Sequence, residues 1–516
     1  MTPTTMEVPP KPVDPLIRKW GLAADWEESS ASAFSGVSYD SRSVRPGHIF
    51  FCIHGEKTDG NNFINDAINS GAVLIVSEKP KPSGFTSPYL VVKDVRQAMS
   101  EAADYLYEHP STKLRVLGVT GTNGKTSTTH IIEHILNDTG RRAGLVGTMG
   151  VRWAGAGHGD GYIEAKHTTP QAADLHRLFY QMVNAGVSHV AMEVSSHALA
   201  LKRVDNCQFA SACLTNITQD HLDFHKTMEH YWRSKLLLFS SLNASPLDPK
   251  NAIVNIDQEL APEYLKAVSS SVNKYTYGFS EKADFRAVNA HFDKSGTALT
   301  VLTPNGPIDL KLKLVGNFNV YNVLAALTIC STEGVSNQEL KESLESFAGV
   351  CGRFQVVSDM TSHEPLCIVD YAHSPDGLEN VLNVARELVP PDGKLIVVFG
   401  CGGDRDTSKR PQMGAIAENL ADQVVVTSDN PRSEDPQQII IDILAGIKRM
   451  NEDIVVEPDR AKAIQLGVLD ASDKDIVVVA GKGHETYQII KGQTFDFDDK
   501  VEVQKALEKR RDSSAT

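Results

Sequence analysis

No stretch of this 516-residue chain approaches the ~18 consecutive apolar residues that a bilayer-spanning helix needs. The opening segment MTPTTMEVPPKPVDP lacks a basic start followed by an apolar stretch, so a loose tail is expected there and not a secretory leader. Cysteines that pair by spacing are missing too. The seven present, Cys52, Cys207, Cys213, Cys330, Cys351, Cys367 and Cys401, are odd in number, and no two have metal-ligand spacing. Reduced thiols in a cytoplasmic protein are the expectation. An excess of positive charge is also absent. The formal net charge of -14 argues against a protein that binds nucleic acid through its bulk field. It leaves room for an anionic small substrate, because a few lysines, arginines and a metal ion make one cleft positive inside an acidic protein. No membrane insertion and no nucleic-acid partner are therefore expected.

What is present is ordinary globular composition, 41% hydrophobic and 22% charged, at a length that suits about three domains of ~150 residues each. Three regions differ in pattern. In the first, FINDAINSG, AVLIVSE and YLVVKDV alternate helix-like and strand-like segments, and EHPSTK (108–113) reads as a polar linker. The second opens on the strand-like LRVLGVT (114–120) and closes near LVGNFNVYNVLAALTIC (314–330), whose second half reads as a buried helix. The third carries the short apolar runs LIVVFG, QVVVT, DIVVE and DIVVVA separated by helix-like segments, the signature of βαβ units and a mostly parallel sheet.

The strongest local signal is GVTGTNGKTS, residues 118–127, with a strand leading in and a helix leading out. Backbone N–H groups of a glycine-rich turn and the start of a helix make an anion cradle. Lys125 can reach outer phosphates there and the Thr126 hydroxyl can hold Mg²⁺. The strict P-loop spacing would want glycine where Val119 stands. A glycine-rich turn that merely precedes a helix is the competing reading.

TGTNGKTS, together with YDSRSVRPGHIFF, HTTP, MEVSSHAL, TNITQDHLDFH, GNFNVYNVLAA, GRF, VDYAHSPD, FGCGGDRDTSKRP, SDNPRSEDP and GKGHETYQ, resembles the Mur ligases over nearly the whole chain, from Tyr39 to about Asp499. The order of so many words is more specific than any one of them. The resemblance is strongest to the family members that add the third peptide residue to UDP-N-acetylmuramoyl-L-alanyl-D-glutamate in cell-wall synthesis. It implies an α/β protein of three domains. These are a small N-terminal α/β domain for the nucleotide-sugar substrate (1–112), a central P-loop-type ATPase domain with a mostly parallel sheet (113–346), and a C-terminal Rossmann-like α/β domain for the amino acid (347–516). It also implies a two-step reaction, in which the D-glutamate carboxylate attacks the γ-phosphate of ATP and the acyl phosphate then reacts with an amine. Positioning and charge neutralisation supply most of the catalysis of the first step.

By resemblance, Gly121, Thr122, Asn123, Gly124, Lys125, Thr126 and Ser127 surround the ATP phosphates, with Asn319, Asn322, Arg353 and Asp370 matching further positions around ATP. Lys125, Glu193, His221 and Lys235 match the family's catalytic set. Thr126, Glu193, His221 and a carbamate on Lys235 match its Mg²⁺ ligands. Carbamylation makes physical sense, since it turns a cation into an anion that can face the metal. Taken alone, Glu193 would be a capping or solvated carboxylate, His221 a hydrogen-bonded structural residue and Lys235 a solvated lysine. His197, His225 and His230 keep that structural reading.

Tyr39, Ser41, Glu56, Lys57 and Thr58 match positions around the uridine and its phosphates. His167, Thr168, Thr169, Ser195, Leu201 and Arg203 match those that hold the muramoyl-dipeptide. His167 and Leu201 stand where other members carry Asn and Gln, and Cys351 replaces a common Pro before GRF, where a changed turn is expected. Asp429, Asn430, Pro431 and Arg432 have the form found in members that use meso-diaminopimelate, with Arg405, Gly481 and Glu485 completing that set. Diaminopimelate is lysine with a second carboxylate, so its site needs an extra cation with planar donors, which Arg432 supplies. An acid such as Glu485 can hold the distal ammonium. The bland reading of this word is a polar Asn-Pro turn with a surface arginine. The expected partners are ATP, Mg²⁺, UDP-N-acetylmuramoyl-L-alanyl-D-glutamate and meso-diaminopimelate, acting on a cytoplasmic monomer. Three competing functions remain: the same reaction with L-lysine, a ligase like folylpolyglutamate synthetase, and a non-catalytic scaffold that kept the fold.

Overall fold

The structure, a computed structural model, describes residues 8–22, 33–55, 58–154, 161–165, 167–293, 296–358, 364–449 and 453–514. The chain forms two compact units. One comprises Met1–Ala287, Val301–Ile308 and Tyr321–Ser343, and the other Val288–Thr300, Asp309–Val320 and Leu344–Thr516. Among the described residues no helix is long and apolar enough to cross a membrane.

Besides a two-stranded pair, Lys11–Pro12 with Ala33–Phe34, the first unit holds two larger sheets. The smaller is all parallel, in the order β1 (Gly36–Ser38), β2 (His48–Phe51), β3 (Leu74–Ser77), β4 (Tyr89–Val91). Helix α1 (Val95–Leu106) covers one face, and its first turn is closed by Asp94, whose carboxylate accepts from the Gln97 N–H at 2.9 Å. Separate apolar clusters fill the two faces, one around Ile49 and Leu74, the other around Phe50 and Ile75. The stretch read as a linker is instead ordered against the unit. Pro110–Lys113 is a 3₁₀ turn with Pro110 and Ser111 buried, because the Ser111 hydroxyl accepts the Gln208 N–H at 3.0 Å.

The second sheet is built around β5 (Arg115–Thr120), which leads into α2 (Lys125–Asp138). It continues through β6 (Ala143–Gly147), β7 (Gly150–Trp153), β8 (Gly161–Ile163), β9 (His189–Glu193), β10 (Phe209–Leu214), β11 (Asn251–Asn255) and β12 (Asn273–Gly278), in the spatial order β8-β7-β6-β9-β5-β10-β11-β12. All pairings are parallel from β6 to β12, while β7 and β8 run antiparallel at the edge. Parallel strands packed on both faces read as unbroken apolar runs, and β10 is buried at all six positions. Helix α3 (Ala172–Asn184), the short α4 (Ser196–Ala200) and α5 (Met228–Ser241) flank it. The expected buried helix is α6 (Asn317–Thr332).

The second unit's main sheet has the order β13-β14-β18-β15-β16-β17, with β13 (Gln355–Val356) antiparallel and β14 (Leu366–Asp370), β15 (Leu395–Phe399), β16 (Gln423–Val426), β17 (Ile454–Val456) and β18 (Ile476–Ala480) parallel. One apolar cluster lies on each face. A hairpin, β19 (Tyr487–Ile490) with β20 (Gln493–Asp496), follows β18. The molecule is α/β with mostly parallel sheets, as expected. Open sheets of this kind bind ligands beyond the carboxyl ends of their strands, and there the sequence words gather.

Candidate active site

In the first unit the loop after β5 turns tightly into α2. Gly121 (φ 149°) and Gly124 (φ 84°) occupy backbone regions that side chains avoid. A Cβ at Gly121 would strike the Thr215 hydroxyl, and one at Gly124 would strike Asn322 Oδ1. Asn216, at the end of β10, holds the turn by accepting from the Asn123 N–H at 2.9 Å and donating to its carbonyl at 3.1 Å. Lys125 Nζ donates to the Gly121 and Thr122 carbonyls at 2.8 and 2.7 Å. Lys125 thus stands where a glycine-rich turn enters the start of a helix, a place that favours phosphate. Ser127 lies on the first turn of α2.

Glu193 ends β9 and is 1% exposed. Its carboxylate accepts from the Thr126 hydroxyl at 3.1 Å and from the Thr148 N–H and hydroxyl at 2.9 and 3.1 Å. Thr126 and Glu193 are therefore neighbouring hard oxygen donors beside the phosphate loop, the chemistry that Mg²⁺ prefers. No three His, Cys, Asp or Glu side chains among the described residues gather closely enough to bind a metal by themselves. This donor set fits a cation that arrives with phosphate oxygens in its shell.

Lys235 is carried by α5, whose N-terminus is capped by the Thr227 hydroxyl. It is buried, donates to the Gly121 carbonyl at 2.8 Å, and lies 4.5 Å from the centre of the Tyr231 ring. Burial and then the nearby Lys125 cation push its ammonium well below the usual lysine range, against a smaller opposing pull from Asp220. Its proton is thereby held less tightly than that of a solvated lysine. His221 adopts a left-handed backbone (φ 53°) and its ring sits 3.2 Å from the Asp220 carboxylate. Burial lowers its pKa despite that acid, keeping an imidazole nitrogen available as a ligand. The His197 ring meets that of His221 edge-on at 4.7 Å.

In the second unit the loops after β14, β15, β16 and β18 converge. Asp370 ends β14 and accepts from the Phe354 and Ala372 N–H groups at 2.7 and 2.8 Å. Burial raises its pKa, opposed by Arg353. The Arg353 guanidinium lies over the Tyr371 ring at 4.8 Å. Arg432 has a left-handed backbone (φ 53°), and its guanidinium donates to the Gly403 carbonyl at 2.8 Å. Its backbone N–H and carbonyl bond to Ile489 and Lys491 at 2.9 and 2.7 Å, so the loop after β16 is laid against hairpin β19–β20. Asn430 donates to Glu485 Oε2 at 2.8 Å. Glu485 is pushed upward by burial and by Asp429, and downward by Lys482, Asn430 and Arg432. Gly481 N–H donates to the Asp370 carbonyl at 3.0 Å, Pro431 is buried and Arg405 is exposed.

Three stretches match family models: residues 33–107 the Mur ligase family catalytic domain, 119–330 the Mur ligase middle domain, and 352–483 the Mur ligase glutamate ligase domain. The chain belongs to the Mur ligase family. It is 44% identical over 477 residues to the UDP-N-acetylmuramoyl-L-alanyl-D-glutamate--2,6-diaminopimelate ligase of Geobacillus thermodenitrificans, covering 92% of this chain and 95% of that protein. It is 46% identical over 467 residues to the ligase of the same name from Thermosynechococcus vestitus, covering 90% and 91%. A solved structure of a UDP-N-acetylmuramoyl-L-alanyl-D-glutamate--2,6-diaminopimelate ligase matches with a TM-score of 0.66 and 34% identity, over 93% of this chain and 96% of that one.

Other sequence-expected residues of this Mur ligase fall as follows. Thr168, Thr169, Ser195 and Arg203 join the Glu193 cluster. Thr168 accepts from the Thr148 hydroxyl at 3.1 Å, Thr169 accepts the Ser195 N–H at 3.1 Å, and Arg203 donates to the Thr169 carbonyl at 3.1 Å. Tyr39 donates to Asp174 at 2.6 Å, and Ser41 opens a 3₁₀ turn capped by Asp40. Leu201 ends α4, His167 is exposed, and the Thr58 carbonyl accepts the Gly55 N–H at 2.9 Å. Glu56 and Lys57 lie outside the described residues. Asn322 accepts from the Thr128 hydroxyl at 3.5 Å beside the phosphate loop, and Asn319 donates to the Val315 carbonyl at 2.9 Å. At Cys351 the turn is a single bridge between Val350 and Arg353.

Sequence reasoning passed over three residues of this ligase. Thr148 joins Glu193 to Thr168. Tyr231 bonds the Thr122 hydroxyl at 3.0 Å and underlies Lys235. Lys482 is buried between Asn430 and Glu485. Thr148 and Tyr231 carry no sequence signal. Lys482 lies inside the matching word GKGHE and could have been taken with its neighbours.

Proposed function

We propose that this ligase joins meso-diaminopimelate to the D-glutamate carboxylate of UDP-N-acetylmuramoyl-L-alanyl-D-glutamate at the expense of ATP, in the cytoplasm and as a monomer. The names of its relatives support the substrate pair. The observation that carries the choice of amino acid is that Arg432, braced by Gly403, and Glu485, braced by Asn430, lie near enough for the Arg432 charge to pull the Glu485 pKa down. A planar cation next to a carboxylate complements a carbon that bears both a carboxylate and an ammonium. L-Lysine offers only the ammonium.

In this reading the chain divides at 1–112, 113–346 and 347–516 into nucleotide-sugar, ATP and amino-acid domains. Tyr39, Ser41 and the 56–58 stretch take the uridine diphosphate, and Thr168, Thr169, Ser195 and Arg203 take the muramoyl-dipeptide. The glycine-rich loop and Lys125 neutralise the γ-phosphate as the D-glutamate carboxylate attacks it. Thr126, Glu193, His221 and Lys235, carbamylated by loss of an amine proton and bonding to CO₂, would hold Mg²⁺, which supplies charge neutralisation at the phosphates. The free amine of diaminopimelate then attacks the acyl carbon and phosphate leaves.

The test is phosphate release by the purified protein with ATP, Mg²⁺ and the UDP-muramoyl-dipeptide, comparing amino acids. Binding lysine would leave Arg432 unmatched, at a cost of about 1–3 kcal/mol. At ~1.4 kcal/mol per tenfold, kcat/KM should favour diaminopimelate by roughly tenfold to a hundredfold. Arg432→Ala should narrow that ratio. A parent that uses lysine equally well, or an unchanged ratio in the variant, would overturn the assignment.

A further inference from the structure

Lys482 is 0% exposed, yet the reaction outlined above gives it no task. Its ammonium donates to the Tyr487 carbonyl, lies 3.5 Å from Asn430 Oδ1 and 3.6 Å from Glu485 Oε2, and sits 5.5 Å from the Tyr487 ring centre. Asn430 is thereby held from both ends. Its Oδ1 also accepts from the Ile489 N–H at 2.9 Å, so its Nδ2 must point to Glu485, at 2.8 Å. One buried cation thus ties together the loop after β16, the loop after β18 and strand β19.

The geometry points to Lys482 as a positioning residue for amino-acid selection: it fixes Asn430 and Glu485 so that Glu485 receives the distal ammonium of the incoming amino acid. This rests on the amino-acid site proposed above. Retaining a buried lysine for packing alone is costly, because desolvation of its charge opposes folding. Burial does lower the Lys482 pKa, and Asp429, Glu485 and Asp499 counter this, while Arg460 adds to it. The groups facing Glu485 are Lys482 on its own loop, Asp429 and Arg432 after β16, Tyr371 after β14, and the Arg460–Asp499 pair behind them. Burial and Asp429 drive Glu485 towards its neutral form, which cannot pair with an ammonium. Lys482 is the nearest opposing charge. Removing it should raise the Glu485 pKa and carry the acid limb of activity to higher pH.

The experiment measures kcat, KM for each substrate, and the pH dependence of kcat/KM for diaminopimelate in Lys482→Met, Glu485→Gln and the double variant. In Lys482→Met, KM for diaminopimelate should rise about tenfold or more while KM for ATP stays within about twofold. The acid limb should move up by about one pH unit. In the Glu485→Gln background, Lys482→Met should cost less than about twofold more, since its effect runs through Glu485. A rise in both KM values with an unmoved acid limb would overturn the proposal, as would a full Lys482→Met effect on top of Glu485→Gln. Should Lys482→Met alone fail to fold, the double variant, which removes the pair together, decides. Equality with Glu485→Gln supports the role, and a several-fold deficit overturns it. A parent that turns over some other amino acid would sink the diaminopimelate reading, whereas the acid limb measured with that amino acid would still judge Lys482.

Discussion

Lys235 and Lys482 are both buried, at 1% and 0% exposure, and burial is the largest cause that lowers the pKa of either. Their surroundings differ. Lys235 meets a backbone carbonyl, a tyrosine ring and a second lysine, with Asp220 as the lesser opposing charge. Lys482 meets Glu485 and the fields of Asp429 and Asp499, with Arg460 opposing them. Next to a second cation the shift caused by burial deepens, and next to carboxylates part of it is undone. At equal depth, the sign of the neighbours sets how far a lysine's proton is loosened.

The comparison breaks most visibly at Lys125. Lys125→Ala should cut ligation by at least about 10²–10³-fold in a protein that still folds, because charge that faces the transferring phosphate is lost. Near-normal turnover would show that the loop after β5 is not the phosphate site. Lys235→Ala should lower activity by at least about tenfold. Short carboxylic acids added to the assay should restore part of it by replacing the missing anion near the metal. The same acids should do nothing for Lys482→Met, which lacks a cation. Full activity in Lys235→Ala would remove the distinction between the two lysines. The smallest effect on turnover, though not on stability, concerns the pair behind Lys482. Arg460 donates to both oxygens of Asp499 at 2.7 Å, with both side chains at 0% exposure. Asp499→Ala leaves a buried cation unpaired and should cost about 3–5 kcal/mol, read from the denaturant midpoint of the second unit. A loss below about 1 kcal/mol would mean that this cation is already satisfied by the Ser428 and Ala480 carbonyls.

What was legible in the sequence was local. The phosphate loop announces itself because strand, glycines and helix are contiguous, whereas Glu193 stood out only inside the matching word MEVSSHAL. The runs of β15 to β18 read as a parallel sheet because both faces are covered. Lys235 was opaque on pattern alone. YWRSKLLLF gives no clean polar face, and only the packing of α5 against β5 and β10 turns that lysine inward. Lys482 sits between two glycines and was passed over, because only its bond to the Tyr487 carbonyl on β19 shows it buried. The 108–113 stretch looked like a linker for the same reason: the bond from Gln208 to Ser111 comes from a distant part of the chain.

Arg432 is held as a single parallel bridge to Ile490, bonded through its own N–H and carbonyl to the hairpin that follows β18. The segment proposed to read the amino acid is therefore shaped in part from outside itself. It borrows that part from a ribbon encoded much later in the chain. Grafting the four residues Asp429 to Arg432 into a relative of different preference would transfer the letters without the template that spells them. A graft that includes Gly481 through Ile490 would carry both.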